Sequence, residues 1–290
     1  MHMLEETMLY AESWNVAWRK KPTGSILDDN EAVFTVIPNS YRYWAADPFL
    51  FEYKNETYLF AELYDYVLRR GIIGYCKYQN GKFSCWKPII TEDTHLSYPF
   101  IFSKDDDIYI MPESGAAKTL CIYKAINFPN QWVKEKTIRK GKILGDTTLL
   151  EVQDYNLAIS YDISDPDKYH LLLLNFDDNY DTEIQTSDWK KCRPAGKFFC
   201  YHGKRFRPAQ DCEEEYGKAL VFYECTYENG EYIESQYKRV SATDLRFDRI
   251  MFLDGIHTYN STEAYEVVDI KTRRLNLLNL FFRLLSKIKR

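Results

Sequence analysis

Two carboxylates, Asp47 and Glu62, stand fifteen positions apart at the outer ends of a pair of aromatic runs, and Tyr98 and Glu113 repeat that interval farther along. Placing Phe199 on Phe51 puts Ala195 and Gln210 at the same interval, with Arg207 and Asp211 beside Gln210. Asp146 and His257 open two further runs of the same kind. Several carboxylates and planar hydrogen-bonding groups around one cavity suit the chemistry of a glycosidic bond. One acid protonates the leaving oxygen, another activates the attacking water or hydroxyl, and a remaining anion stabilises the oxocarbenium-like charge. Crowded like charges also raise at least one pKa, which keeps an acid protonated near neutrality. Asp47, Glu113 and Asp146 are therefore the candidate catalytic carboxylates. Glu62, Tyr98, Arg207, Gln210, Asp211 and His257 are the candidate substrate-binding groups. Each also has a structural reading: Asp47 and Tyr98 precede prolines, where turn chemistry alone places such residues, and Arg207 can simply pair with Asp211.

These residues share a site only if the chain brings distant hairpins to one axis. The first hairpin reads as two aromatic strands joined at Lys54-Asn55-Glu56, and the second turns at Asp105-Asp106-Asp107. A third starts at Asp146 and turns near Gln153-Asp154, a fourth turns at His202-Gly203, and a short fifth runs over 255–260 and 264–269. Further strand-like runs trail the first four. Self-similarity near this period with four strands per unit predicts an all-β, five-bladed β-propeller over residues 1–270. The fifth unit lacks outer strands, so strands around Trp14 and Val33 are expected to complete it and close the ring. In that fold the innermost strand of each blade lines a central channel, where matching positions converge. The alternative is a β-sandwich or two stacked β domains.

The net charge of −5 hides an asymmetry: seven cations and no acid follow Asp269, leaving −12 on the rest. A body that acidic repels phosphate backbones, so no nucleic-acid partner is expected. Residues 271–290 pattern as a basic amphipathic C-terminal helix, with Leu277, Leu278, Phe281, Leu284, Leu285 and Ile288 on one face. It is too short and too charged to span a bilayer, and is expected to lie on an anionic membrane surface through 274–290. The alternative is a helix docked on the body or on a partner. The acidic, polar beginning lacks an export signal, which predicts a cytoplasmic protein, peripheral on the inner membrane face. No HExxH, CxxC, glycine-rich phosphate loop or GxSxG is present, so no metal or cofactor is expected.

The segments 46–51, 96–100, 111–114, 146–150, 207–212 and 255–260 together resemble the N-terminal propeller domain of plant glucosamine inositolphosphorylceramide transferases and its bacterial relatives. More distantly, they are similar to the five-bladed propellers of glycoside hydrolase family 43. The family 43 resemblance implies a general base at Asp47 and an acid and a pKa modulator at Glu113 and Asp146, although Glu before Asp reverses the hydrolase order. In the plant enzymes a separate C-terminal domain looks like the glycosyltransferase, and this length has no room for one. The leading expectation is a glycosyltransferase of cell-surface polysaccharide or glycolipid assembly, with a sugar nucleotide or glycan as substrate. The alternatives are a family 43-like glycoside hydrolase and a non-catalytic carbohydrate-binding propeller.

Overall fold

Along Tyr43–Tyr53 and Glu56–Asp65 an unbroken run of consecutive side chains is buried in the middle of each strand, which requires cover on both faces. Radially stacked sheets supply it. The structure, a computed structural model, describes residues 10–21, 25–28, 32–150, 156–165, 169–178, 180–186, 188–249 and 252–275. They form a five-bladed β-propeller. Blade one runs outward through Tyr43–Tyr53, Glu56–Asp65 and Arg70–Gln79, with Lys82–Phe83 and Lys87–Ile90 on its rim. Blade two is Ser97–Lys104, Asp107–Glu113, Thr119–Asn127 and Gln131–Lys140; blade three is Leu144–Leu149, Leu157–Asp162, His170–Asn175 and Asp181–Ile184. Blade four is Phe199–Tyr201, Lys204–Asp211, Ala219–Glu228 and Glu231–Ser241.

Blade five closes the ring as expected. Its inner strands, Leu253–Gly255 and Tyr259–Ser261, pair with Tyr265–Leu275. Tyr10–Lys20 then zips antiparallel along that strand from Tyr10↔Leu275 to Lys20↔Tyr265, and Val33–Val36 adds outside it. The last strand therefore continues beyond the expected boundary at 270. Residues 271–275 are strand, and Lys271 is buried within blade five. The remainder of the expected helix, 276–290, lies outside the described residues, as does the turn expected at Gln153-Asp154.

The hairpin turns follow their sequences. Paired positive φ values at Lys54–Asn55 (51° and 61°), Asp105–Asp106 (51° and 65°) and His202–Gly203 (49° and 75°) are those of tight type I′ turns. Each such turn fixes hairpin register, and with it the fifteen-residue interval.

A second repeated device sits at the inner end of three blades. Between Ala46↔Glu62 and Phe49↔Phe60 the register slips by one residue, and the same slip separates Ser97↔Glu113 from Phe100↔Met111 and Gly145↔Tyr161 from Thr148↔Ile159. Within these bulges Asp47, Tyr98 and Asp146 adopt φ values of 50°, 44° and 50°. A left-handed backbone at a residue with a side chain costs on the order of 1–3 kcal/mol and persists where surrounding structure enforces it. Bulges re-aim side chains, and here the same one recurs around the axis.

Candidate functional site

Blades one to four supply Asp47, Glu62, Glu113, Asp146 and Arg193 to a single cavity of about 300 Å³, and blade five supplies His257. Trp14, Trp44 and Tyr64 add aromatic walls, with Trp44 stacked on Tyr64 at 4.9 Å and Trp14 on His257 at 3.9 Å. Tyr216 also lines it, edge-on to His257.

Asp47, on blade one, is held from blades two and five. Its Oδ2 accepts the Tyr98 N–H at 3.1 Å, its Oδ1 accepts the Thr258 hydroxyl at 2.9 Å, and its own N–H donates to Asp269 Oδ2 at 2.8 Å. His257 joins the two acids, with Nδ1 2.7 Å from Asp269 Oδ2 and Nε2 3.5 Å from Asp47 Oδ1. Burial pushes the Asp47 carboxyl up to about 6, against the pull of the His257 charge, with Asp146 and Asp269 adding to the rise. For His257 burial works against the cation, but the adjoining Asp269 carboxylate outweighs it and raises the pKa. Asp47, His257 and Asp269 carry ligand atoms within 4.8 Å of one another, a donor set that a cation could use. Both Asp269 oxygens already accept backbone N–H groups, from Asp47, His257 and Thr258.

Asp146 forms the opposite pole. Arg193 Nε donates to its Oδ2 at 2.5 Å while Arg193 Nη2 reaches Glu113 Oε2 at 3.1 Å, so one guanidinium bridges two acids. Gln210 Nε2 donates to the same Asp146 oxygen at 2.6 Å, and the Asp146 N–H donates to Glu113 Oε2 at 3.1 Å. Burial lifts the Asp146 carboxyl to about 7 even with Arg193 pulling it down.

Glu62 differs from these. It is buried, its Oε1 has no hydrogen-bond partner among the described residues, and His95 Nε2 lies 3.4 Å from that oxygen. Burial first, then Asp47, Glu113 and the other carboxylates, pushes its pKa well above the usual range. Glu62 is thus a buried carboxyl facing the cavity in surroundings that favour its protonated form.

A family model described as "Glucosamine inositolphosphorylceramide transferase 1, N-terminal" matches residues 31–251. The chain belongs to this family. A relative of that name from Arabidopsis thaliana is 33% identical over 197 residues, covering 60% of this chain and 24% of the relative. One from Oryza sativa subsp. indica is 28% identical over 201 residues, covering 62% and 26%. The chain spans about a quarter of the length of these relatives. Among solved structures, the fold is shared with the catalytic domain of a GH62 α-L-arabinofuranosidase from Coprinopsis cinerea (TM-score 0.55, 12% identity, 79% of this chain and 90% of that one). It is shared too with an α-L-arabinofuranosidase from Lactobacillus brevis (TM-score 0.54, 11% identity, 78% and 82%).

Of the residues singled out in the sequence, Asp47, Glu62, Glu113, Asp146 and His257 line the cavity, and Gln210 stands behind it as a partner of Asp146. Three lie elsewhere. Tyr98 is fully buried, its hydroxyl shared between Thr148 Oγ1 at 2.8 Å and the Gly196 N–H at 2.6 Å, so it ties blade two to blades three and four. Arg207 is fully buried in a bidentate pair with Glu234 (2.7 and 2.8 Å), its third nitrogen donating to Cys192 O. Asp211 pairs with Arg239 at 2.7 Å rather than with Arg207. The aromatic walls, His95 and Glu12 were not singled out in the sequence, and neither were two charged groups that hold the acids. Asp269 ends the fifth hairpin, whose acid falls twelve positions after His257 because the hairpin is short. Arg193 occupies the place filled by the buried apolar residues Ala45, Leu96 and Leu144 in the first three repeats, a charge-for-apolar swap visible in the sequence.

Proposed function

We propose that the cavity binds a glycan and cleaves a glycosidic bond. The observation that carries this reading is that one blade presents two buried carboxyls to the cavity: Glu62, whose Oε1 has no hydrogen bond among the described residues and whose pKa burial raises well above the usual range, and Asp47, lifted to about 6. Glu62 donates its proton to the leaving oxygen as the C–O bond breaks. Asp47 takes a proton from the water or acceptor hydroxyl that attacks the anomeric carbon. Asp146, with Arg193 and Glu113, supplies the charge that faces the oxocarbenium-like centre. Trp14, Trp44 and Tyr64 offer apolar surfaces to the C–H faces of sugar rings.

Hydrolysis fits this lining better than transfer from a sugar nucleotide. A nucleotide diphosphate entering the cavity meets Glu12, Asp47, Glu62, Glu113 and Asp146, and Arg193 is already shared by two of them. A second reading, a carbohydrate-binding propeller accompanying a transferase, is favoured by the name of the relatives, of which this chain matches about a quarter. In either case we place the protein at the inner membrane face, on the strength of the basic amphipathic pattern over 276–290.

Incubation with a panel of aryl glycosides and oligosaccharides tests the reading. The parent should release sugar, and Asp47→Asn should release none. Oligosaccharide binding without release by the parent supports the binding module, and consumption of a sugar nucleotide only when an acceptor is present restores the transferase. Full activity in Asp47→Asn removes the assignment.

A further inference from the structure

We propose that the tip of blade one, the turn Asp65 to Arg70 with the neighbouring Tyr41-Arg42, docks on an anionic membrane surface and holds the cavity mouth against it. Val67 and Leu68 are adjacent and exposed at 55% and 36%, and Tyr41 is exposed at 83%. Turns are ordinarily built from polar residues and glycine, so a turn that presents two consecutive aliphatic side chains to solvent marks a contact surface.

The turn is rigid. Buried Asp65 accepts the Val67 and Leu68 N–H groups on Oδ1 at 2.8 and 3.2 Å, its carbonyl accepts the Arg69 N–H at 2.6 Å, and Arg69 is left-handed with φ 58°. The Tyr66 N–H donates to Arg42 O at 3.0 Å, which ties Tyr41-Arg42 to the turn. The tip's one acid is neutralised, because Arg42 pairs with the Asp65 carboxylate at 2.8 Å. Arg69 and Arg70 have no ion pair among the described residues, so the tip is locally cationic. Apolar side chains flanked by arginines, above the aromatic pair Trp44 and Tyr64, match the composition that seats in the headgroup region of an anionic leaflet.

The register fixes where the tip lies. Trp44↔Tyr64 belongs to the cavity wall, and the next pair, Tyr43↔Asp65, begins the turn, so the tip rises from the cavity rim. Repulsion from the acidic body is screened beyond about 8 Å at physiological salt, which leaves contact at the tip to decide. This surface is formed by residues other than 276–290 and is independent of the chemistry proposed for the cavity. Only its consequence, that the glycan reached is carried on a lipid, rests on the carbohydrate reading.

Co-sedimentation of the full chain with phosphatidylcholine vesicles, with and without phosphatidylserine, tests the docking. The parent should bind the anionic vesicles. The double variant Val67→Ser, Leu68→Ser should bind about tenfold more weakly, and Arg69→Ser about fivefold more weakly. Amide exchange across 65–70 should slow in the parent when anionic vesicles are present. Asp47→Asn should bind as the parent does, which separates failure of docking from failure of catalysis. Equal binding by the parent and the double variant, or no binding by the parent, overturns the proposal. So does self-association of the parent that the double variant abolishes, since the patch would then be a contact between copies.

Discussion

His257 Nδ1 lies 2.7 Å from Asp269 Oδ2, and the same carboxylate accepts the backbone N–H of Asp47 across the junction between the last blade and the first. The ring therefore closes on its own site. The Asp269 carboxylate raises the His257 pKa against burial, and His257 turns Nε2 toward Asp47 at 3.5 Å.

This chain of contacts sets the pH dependence of Asp47. In the parent the His257 charge pulls the Asp47 carboxyl down to about 6 against burial. Replacing His257 by Gln removes that pull and leaves only the weaker Thr258 hydrogen bond to oppose burial and the Asp146 and Asp269 carboxylates, which raise it. The acid limb of kcat/KM should move to higher pH by about one unit. The stability effect has the opposite pH bias. A histidine whose folded pKa is raised contributes fully below its unfolded value of 6.5 and loses that contribution as pH rises through the folded value. Urea denaturation should therefore find His257→Gln more costly near about pH 6 than near about pH 9.

Asp47 itself carries the reverse sign. A carboxyl raised from 3.8 to about 6 binds its proton more tightly folded than unfolded, so its burial costs stability increasingly as pH rises between those values. Asp47→Asn escapes that cost. At neutral pH the variant should be more stable than the parent by about 1–3 kcal/mol, with the gain fading near about pH 4. A variant less stable than the parent at every pH would make Asp47 a structural residue rather than a strained functional one.

The ring and four of the cavity's carboxyls were legible in the sequence because tight turns and a shared bulge fix the interval between the two ends of each inner hairpin. Asp47 with Glu62, and Tyr98 with Glu113, follow from that regularity. The errors have physical causes. Arg207 and Asp211 lie three and one positions from Gln210, so the two-residue period of a strand puts them on the opposite face, where Glu234 and Arg239 receive them. Tyr98 shares the bulge and φ of Asp47, but its ring is long enough to reach blades three and four and is consumed there. Asp269 escaped because the fifth hairpin is shorter than the others.

The placement of Arg207 gives a direct contrast. Its guanidinium and the Glu234 carboxylate are both buried, and removing one partner leaves the other charge uncompensated. Arg207→Met should destabilise the protein by about 3–5 kcal/mol, and adding Glu234→Met should recover much of that loss. KM for any glycan turned over should stay at the parent's value in the folded fraction of either variant. A raised KM in the double variant would return Arg207 to the substrate site.

Glu62 depends on a neighbour with no side chain. The Gly71 N–H donates to His95 Nδ1 at 2.9 Å, so the proton of that imidazole sits on Nε2, toward Glu62 Oε1. A Cβ at position 71 would lie 2.5 Å from Glu62 Oε1, 2.4 Å from Leu96 O and 2.8 Å from His95 Cε1. Since the Leu96 carbonyl is backbone and cannot swing aside, Glu62 and His95 must move. Gly71→Ala should cost about 1–3 kcal/mol of stability through overpacking and lower kcat by displacing the acid. Glu62→Gln keeps the volume and removes the proton, so it should lower kcat by about 100-fold or more with little change in stability. Measuring kcat and urea midpoints for both variants separates the two effects. Full turnover by Glu62→Gln would transfer the acid role to another carboxyl of the cavity, with Asp146, at about 7, the group to test next.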